Sequence, residues 1–422
     1  MIDKTLSFFR SLMPNWLFKM GQPIYHYTLS LLAALVYRFP ASSIKIVFVT
    51  GTKGKTSTVE LLSSILETAG HKTASSSTIF IKIGDKTEDN LYKMTAPGRF
   101  FVQMFLRKAV NNKCEYAVIE MTSQAVVQYR HRFINYDGLI FTNIAPEHIE
   151  SHGSFENYLN AKLELARALG QSNKRPRITV SNLDDEHGEK FLSYEAEKKV
   201  GFRLSDWSNY NFKSELIGDF NKYNILGAVK FAEALNIPAD KIKQGIEKVK
   251  LIPGRLDYVY AGQPYKIVVD YATTADSLKA VYSAFPGKKL ICVLGCTGGG
   301  RDQWKRPLMA SIAEAHCERV ILTNEDPYDE DPEQIIEQLA KGIKNTSKLD
   351  KILDRRQAIK RALEFAEELA VPPPKGGTTA GDSNVAVMIT GRGTDPYITH
   401  GDYKEPWSDK DVAFEEYKKL AK

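Results

Sequence analysis

The sequence predicts an α/β protein with two parallel-sheet domains behind a short helical extension, and three observations carry that expectation. Short apolar runs that end in glycine or a polar residue recur from Ile44 onward. Stretches with helical apolar spacing separate them, and strand–helix alternation builds parallel sheets with right-handed crossovers. At 422 residues the chain is long enough for two or three cores.

The elements follow in order. Residues 1–44 read as a helical, apolar N-terminal extension. Within it, residues 24–39 form an apolar run between Pro23 and Pro40, shorter than the roughly 20 residues a membrane-spanning helix needs. No signal-peptide cleavage pattern follows. Lys4, Arg10 and Lys19 stand among Phe8, Phe9, Trp16, Leu17 and Phe18. Residues 1–40 therefore admit two readings, a helix packed on the main body or a peripheral contact with the inner membrane surface.

Residues 45–251 read as a nucleotide-binding domain. KIVFVTG is a buried parallel strand ending in glycine. KTSTVELLSSILETAG places Val59, Leu62, Ile65, Leu66 and Ala69 on one helical face, with Gly70 where a C-terminal cap belongs. YAVIE (116–120) and GLIFTNI (138–144) are further strands, and Ser154 caps a helix reaching about Leu169. Residues 252–422 form a second α/β domain, with strands at 267–272, 289–295, 319–325 and 385–391. The Pro/Gly/Ser-rich stretch 372–384 reads as a loop.

Composition excludes several classes. Hydrophobic residues at 43% and charged residues at 26% rule out a disordered or fibrous chain. The net charge of +6 suits anionic small molecules, and no nucleic-acid-binding spacing accompanies it. Cys114, Cys292, Cys296 and Cys317 lack paired metal spacing, so buried free thiols in a reducing cytoplasm are expected.

The chemistry begins at VTGTKGKTST, which leaves a strand and enters a helix. Gly51 and Gly54 let backbone amides approach phosphate oxygens, and the helix N-terminus adds its dipole. Lys55 reaches the β- and γ-phosphates, and Thr56 offers a hydroxyl to magnesium. Only Thr52 and Lys53 separate the two glycines, a shorter spacing than the common phosphate loop. Ser57 completes the loop's entry into the helix. A nucleoside triphosphate and magnesium are the expected ligands.

Polar residues past later strand ends converge on the ligand crevice of such a sheet. Glu120, Asn143, Glu147, His148, His152 and Lys162 stand at such places. Glu120 and His148 read as ligands of a second magnesium, although imidazole is a less usual partner for that ion than oxygen. A surface carboxylate and a loop histidine are the alternatives.

In combination, TGTKGKTS, EMTSQAV, TNIAPEHIESHG and NYLNAK resemble the Mur ligase family, and within it the branch that adds the third residue to a UDP-N-acetylmuramoyl-dipeptide. GDFNKYNILGA, PGRLDYV, VVDYATTADSL, GGRDQWKRPLM, TNEDPYDEDP, LDRRQAI and ITGRGTDPY extend the resemblance from about Ile46 to the C-terminus. It implies a P-loop-type ATPase domain followed by a Rossmann-like domain, and an ADP-forming ligase of peptidoglycan synthesis that works through an acyl phosphate. Lys55 and Thr56 then serve the phosphates and first magnesium, and Glu120 and His148 a second. Lys162 matches a lysine carbamylated by carbon dioxide; a salt-bridging lysine is the plain alternative. Asn221 and Asn224 match positions near the adenine, and Arg255, Asp270 and Tyr271 match hinge and ribose contacts. Thr95, Ser123, Arg306, Asp326, Tyr328, Gly391 and Asp395 fall at substrate positions.

The sequence departs from the family pattern in three places. The N-terminal domain that holds the UDP moiety is expected to be missing, because only about 45 residues precede the loop. That leaves open a UDP-muramyl peptide held differently, a lipid-linked precursor, or another acceptor. Tyr328 stands where diaminopimelate-adding relatives carry an arginine, so Asp326 and Asp395 are expected to attract a distal amine, as in lysine or ornithine. Thr273 and Thr394 replace histidines. A folylpolyglutamate-synthetase-like or poly-amino-acid ligase, and a non-catalytic ATP-binding subunit, remain the other readings; oligomeric state is not legible.

Overall fold

The computed structural model describes residues 15–92, 94–147, 149–300, 302–370 and 383–421, with side chains from residue 21 onward. His148 and nearly all of the 372–384 stretch lie outside the described residues. The chain forms two compact units. The first comprises residues up to Ala145, Ser154–Phe212 and Tyr223–Lys248; the second comprises Pro146–Gly153, Lys213–Lys222 and Val249 onward.

The first unit is built on eight strands: β1 (Lys45–Thr50), β2 (Thr73–Ser76), β3 (Phe80–Ile83), β4 (Lys86–Asp89), β5 (Tyr116–Glu120), β6 (Gly138–Phe141), β7 (Ile178–Asn182) and β8 (Lys198–Phe202). Their order is β4-β3-β2-β5-β1-β6-β7-β8. All neighbours are parallel except the β2–β3 and β3–β4 pairs. β1 is buried except at Lys45, and β5 and β6 are buried throughout, as a parallel sheet covered on both faces requires. Chain order reverses at β1, which has β5 on one side and β6 on the other, so the carboxyl end of β1 is the sheet's switch point.

Helices cover this sheet much as their sequences suggest. Lys55–Thr68 follows β1 and ends in a hydrogen-bonded cap, the Gly70 and His71 amides donating to Glu67 O and Leu66 O at 2.9 and 3.0 Å. Phe155–Gly170 starts where Ser154 accepts a hydrogen bond from the Asn157 amide. The strand expected over 138–144 stops at Phe141.

The N-terminal helix runs over Asn15–Val36 with Pro23 inside it. Pro23 is exposed, so the hydrogen bond it removes is lost where water can replace it. Ser30, Ala33 and Ala34 form the buried side. Ser30 Oγ donates to Tyr129 O at 2.9 Å, and Arg107 donates to the Tyr37 and Arg38 carbonyls, each at 3.0 Å. Among the described residues, no helix is long and apolar enough to cross a membrane.

The second unit holds β9 (Asp257–Val259), β10 (Lys266–Asp270), β11 (Lys289–Leu294), β12 (Cys317–Leu322), β13 (Leu349–Lys351) and β14 (Val385–Thr390), in the order β13-β12-β11-β14-β10-β9. Only the edge pair β9–β10 is antiparallel. A hairpin of β15 (Tyr397–His400) and β16 (Tyr403–Pro406) follows. Separate apolar layers cover the two faces, one around Leu278, Met309 and Leu339, the other around Ile359, Leu363 and Val412. The cysteine expectation is half corrected. Cys292 and Cys317 are joined in a disulfide, because neighbouring strands β11 and β12 bring their Cα atoms to 6.3 Å, while Cys114 and Cys296 are free and buried.

One ion pair ties the last two helices of this unit together. Arg355, at the start of helix Arg355–Leu369, donates to both carboxylate oxygens of Asp409 at 2.8 and 2.7 Å, and both side chains are fully buried. Burial raises the Asp409 pKa; the Arg355 charge and hydrogen bonds, with the Trp407 indole, outweigh it and hold the carboxyl below its ordinary 3.8. The unfolded chain then binds the proton first as pH falls, so this stabilisation is complete above pH 3.8 and disappears as pH drops through the lower folded value. Asp409→Ala, which leaves Arg355 buried and unpaired, is expected to lower unfolding free energy by about 3–5 kcal/mol in urea titrations at neutral pH.

Candidate active site

Three adjacent strand ends build the site of the first unit. β1 delivers the glycine loop, β5 delivers Glu120 as its last residue, and β6 is followed by Thr142 and Asn143. The β1–β5 register sets Val49 beside Glu120, and the β1–β6 register sets Thr50 beside Phe141. Side chains from distant parts of the sequence therefore meet at the switch point.

The loop is held from below. The Thr52 amide donates to Asn143 O at 2.8 Å and the Lys53 amide to Asn143 Oδ1 at 2.9 Å. Asn143 Nδ2 and Thr142 Oγ1 return hydrogen bonds to Lys53 O at 3.1 and 2.6 Å. Gly54, at φ +82°, caps the helix Lys55–Thr68, and a Cβ there would sit 2.1 Å from Asn224 Oδ1. A Cβ on Gly51 would meet Thr142 Oγ1 at 2.0 Å. Both positions require glycine, for backbone conformation and for space alike.

Glu120 is the centre of this arrangement. Its carboxylate, 2% exposed, accepts hydrogen bonds from Thr56 Oγ1 at 2.9 Å and from the Thr78 amide at 3.1 Å. Lys55 Nζ lies 3.6 Å from Glu120 Oε1 and donates to Thr52 O at 2.9 Å. Thr78 in turn shares a hydrogen bond with Thr95 Oγ1 at 2.9 Å, which links that predicted substrate residue to the same cluster. Ser57 is buried in the first turn of its helix, and Ser123 is buried at the start of helix Ser123–Val127. Lys162, 1% exposed, donates to Gly51 O at 2.7 Å, and its ammonium stands 4.7 Å from the Tyr158 ring centroid. The Tyr158 hydroxyl shares a hydrogen bond with Thr52 Oγ1 at 2.9 Å.

Sequence reasoning missed Thr78, Thr142 and Tyr158. Thr142 lay inside a predicted strand, and Tyr158 shares a helical face with Lys162, a spacing that could have found it.

The second unit holds the remaining predicted residues. Arg255 stacks on Tyr271 with its guanidinium carbon 4.6 Å from the ring centroid. Burial and the neighbouring Asp395 charge push the Tyr271 phenol well above its ordinary value. Asp270 accepts hydrogen bonds from the Leu256 and Ala272 amides, each at 2.8 Å. Asn221 Nδ2 donates to Ile217 O at 2.8 Å. Arg306 is fully buried and bonded to Glu330 at 2.8 Å and Gln338 at 2.6 Å. Asp326 accepts the Thr399 amide at 2.6 Å and lies 3.5 Å from Arg392. Tyr328 adopts a left-handed backbone (φ +53°), with its amide donating to Thr399 O at 3.1 Å. A Cβ on Gly391 would sit 2.7 Å from Glu325 Oε2.

The chain matches the Mur ligase middle domain over residues 49–205 and the Mur ligase glutamate ligase domain over residues 254–371. A UDP-N-acetylmuramoyl-L-alanyl-D-glutamate–2,6-diaminopimelate ligase of Syntrophomonas wolfei is 32% identical over 415 residues, covering 92% of this chain and 81% of that one. The chain belongs to the Mur ligase family. A ligase of the same description from Fusobacterium nucleatum is 32% identical over 412 residues, covering 91% of this Mur ligase and 80% of that protein. A solved structure of a ligase so described is 25% identical with a TM-score of 0.56, covering 90% of this chain and 79% of the other. Folylpolyglutamate synthase of Mycobacterium tuberculosis shares the fold, with 16% identity, a TM-score of 0.66 and coverage of 93% and 94%.

Mur ligases are ATP-dependent, ADP-forming carbon–nitrogen ligases that use magnesium, so the expected family, fold class and enzyme class hold. The residues present fit both ligands. The loop 51–54 is shaped for close backbone approach at a helix N-terminus, which attracts phosphate. Thr56 and Glu120 supply the hard oxygen donors that magnesium prefers.

Two variants separate these roles. Glu120→Gln preserves the shape and the Thr56 hydrogen bond but removes the charge. It is expected to slow ADP formation at least ~100-fold with little change in melting temperature. Gly54→Ala is expected to cost about 1–2 kcal/mol of stability through its left-handed backbone, and to weaken nucleotide binding measured by calorimetry.

Proposed function

We propose that this Mur ligase joins an amino acid to the free carboxylate of a UDP-N-acetylmuramoyl-peptide in peptidoglycan synthesis. The carrying observation is the convergence of Lys55, Thr56, Glu120 and Lys162 around one glycine loop at the sheet's switch point. The ligases of S. wolfei and F. nucleatum, described as acting on such a muramoyl peptide, support the same reading. In it, residues 45–251 bind ATP, residues 252–422 bind the amino acid, and residues 1–44 are an extension. The enzyme works in the cytoplasm, with residues 1–40 as a peripheral contact at the inner membrane surface.

The chemistry proceeds in two displacements. A carboxylate oxygen of the acceptor attacks the γ-phosphorus, ADP leaves, and an acyl phosphate remains. The amine of the incoming amino acid then attacks the acyl carbon, and inorganic phosphate departs. Bound magnesium neutralises charge on the transferred group. Lys55 would orient the terminal phosphates, and Thr56 would hold the first ion. Glu120, His148 and a carbamylated Lys162 serve the second. Lys162 is buried beside the loop, where its carbamate would be an anion suited to a cation.

A cationic pair supports an anionic acceptor. Arg99 donates to Gln128 O at 3.2 Å, and Arg130 donates to Gln128 Oε1 at 2.6 Å and also to Ala96 O, next to Thr95. Among the described residues no carboxylate pairs with either. Burial, with Arg99 adding its like charge, lowers the Arg130 pKa to about 10. Two half-buried guanidinium groups without a counter-ion suit a ligand carboxylate or phosphate.

The test is ADP release across a matrix of acceptors and amino acids. Turnover is expected with UDP-N-acetylmuramoyl-dipeptide and a diamino acid. Turnover with folate and glutamate alone would replace this reading with the folylpolyglutamate one; ATP binding without turnover in any pair would favour a non-catalytic subunit. Lys162→Arg is expected to abolish both turnover and the incorporation of isotopically labelled bicarbonate seen in the unaltered enzyme.

A further inference from the structure

The helix Asn15–Val36 is dressed the wrong way round for a helix whose only neighbour is the protein. Its inward side carries the small residues Ser30, Ala33 and Ala34. Its outward side carries Ile24, Leu32, Leu35 and Val36, which are 71%, 47%, 54% and 56% exposed, with Tyr25 beside them. Ile24, Thr28 and Leu32 succeed one another at four-residue spacing, and Leu35 and Val36 continue the row, so the outward residues form one stripe. Thr28 interrupts the stripe chemically but not physically, because its hydroxyl donates back to Ile24 O at 2.8 Å and presents its methyl group. A surface helix ordinarily turns such a stripe toward the core.

Charge identifies what covers it. From Lys4 through Val59 the sequence contains no aspartate or glutamate, while Lys4, Arg10, Lys19 and Arg38 flank or punctuate the helix region. A one-signed basic surround with a large apolar stripe and tyrosines at its margin matches an anionic lipid surface. A spanning arrangement is unsuited, since no described helix is long and apolar enough. The attachment to Tyr129 and Arg107 holds the helix along the body of its unit.

We propose that this helix lies in the plane of an anionic bilayer, with the Ile24–Leu32–Leu35–Val36 stripe among the headgroups, and that the basic composition of this part of the sequence selects the anionic surface. This deepens the reading of residues 1–40 as a peripheral contact and specifies the lipid chemistry and the face that meets it.

Co-sedimentation of the full chain with vesicles tests it, using phosphatidylcholine alone or with about one third phosphatidylglycerol. Partitioning onto the anionic vesicles is expected to be about tenfold stronger and to decline with salt. The double variant Leu32→Glu, Leu35→Glu is expected to lose at least ~10-fold of that partitioning while ADP formation stays unchanged. Equal or absent binding to both vesicle types overturns the proposal. So does a wild-type dimer that the double variant dissociates, which assigns the stripe to a second copy. Should the variant fail to fold, the lipid and salt dependence of the unaltered chain decides the matter. ADP formation read in the same samples keeps a failed ligase reading separate from a failed membrane one.

Discussion

The buried carboxylate of Glu120 gathers three segments that are far apart in sequence: the start of the helix at Thr56, the turn after β2 at Thr78, and the end of β5 itself. Taking a carboxylate out of water costs several kcal/mol unless it is hydrogen-bonded and charge-paired. Here three donors, the Thr56 hydroxyl and the Thr78 amide and hydroxyl, and the nearby Lys55 ammonium offset that cost. The same contacts orient Thr56 and restrain Lys55, the two side chains that a nucleotide triphosphate and its cation need most. Glu120 is therefore the strut of the loop, and in the proposed function it takes part in the chemistry as well. The sheet order makes this possible, because only a strand with neighbours on both sides, followed by a loop at the reversal of chain order, receives polar groups from two flanking strand ends at once.

Much of this was legible in the sequence, and the rest was hidden for identifiable reasons. β1, β5, β11 and β14 are strands buried on both faces, so their apolar runs announce them. Lys55, Thr56, Glu120 and Lys162 stand where a loop, a strand end and a helix face make them visible. Thr78 carries no such mark, because it follows the polar strand β2, whose residues TASS are buried without being apolar. The Cys292–Cys317 pair depends on strand order, which spacing along the chain does not encode. The helix Asn15–Val36 passes through Pro23 because that residue is exposed and water can replace the lost hydrogen bond. His148 lies outside the described residues, so its role rests on the motif alone.

The second unit shows why a charged residue at a family position does not by itself identify a ligand contact. Arg306 was expected to meet a substrate carboxylate, yet its guanidinium is buried against Glu330 and Gln338. A ligand carboxylate reaching Arg306 would first have to displace Glu330 and Gln338. Asp326 is similarly engaged, between the Thr399 amide and Arg392. Its pull on a distal amine is thereby reduced, since the nearby guanidinium already answers its charge. Glu325 differs. It accepts a hydrogen bond from Thr297 at 2.8 Å through one oxygen, while the other, Oε2, is buried without a partner and faces Gly391. Burial, partly countered by the Arg355 charge, raises its pKa. Glu325 thus keeps an unfilled hydrogen-bonding position, whereas Arg306 and Asp326 are already engaged within the unit.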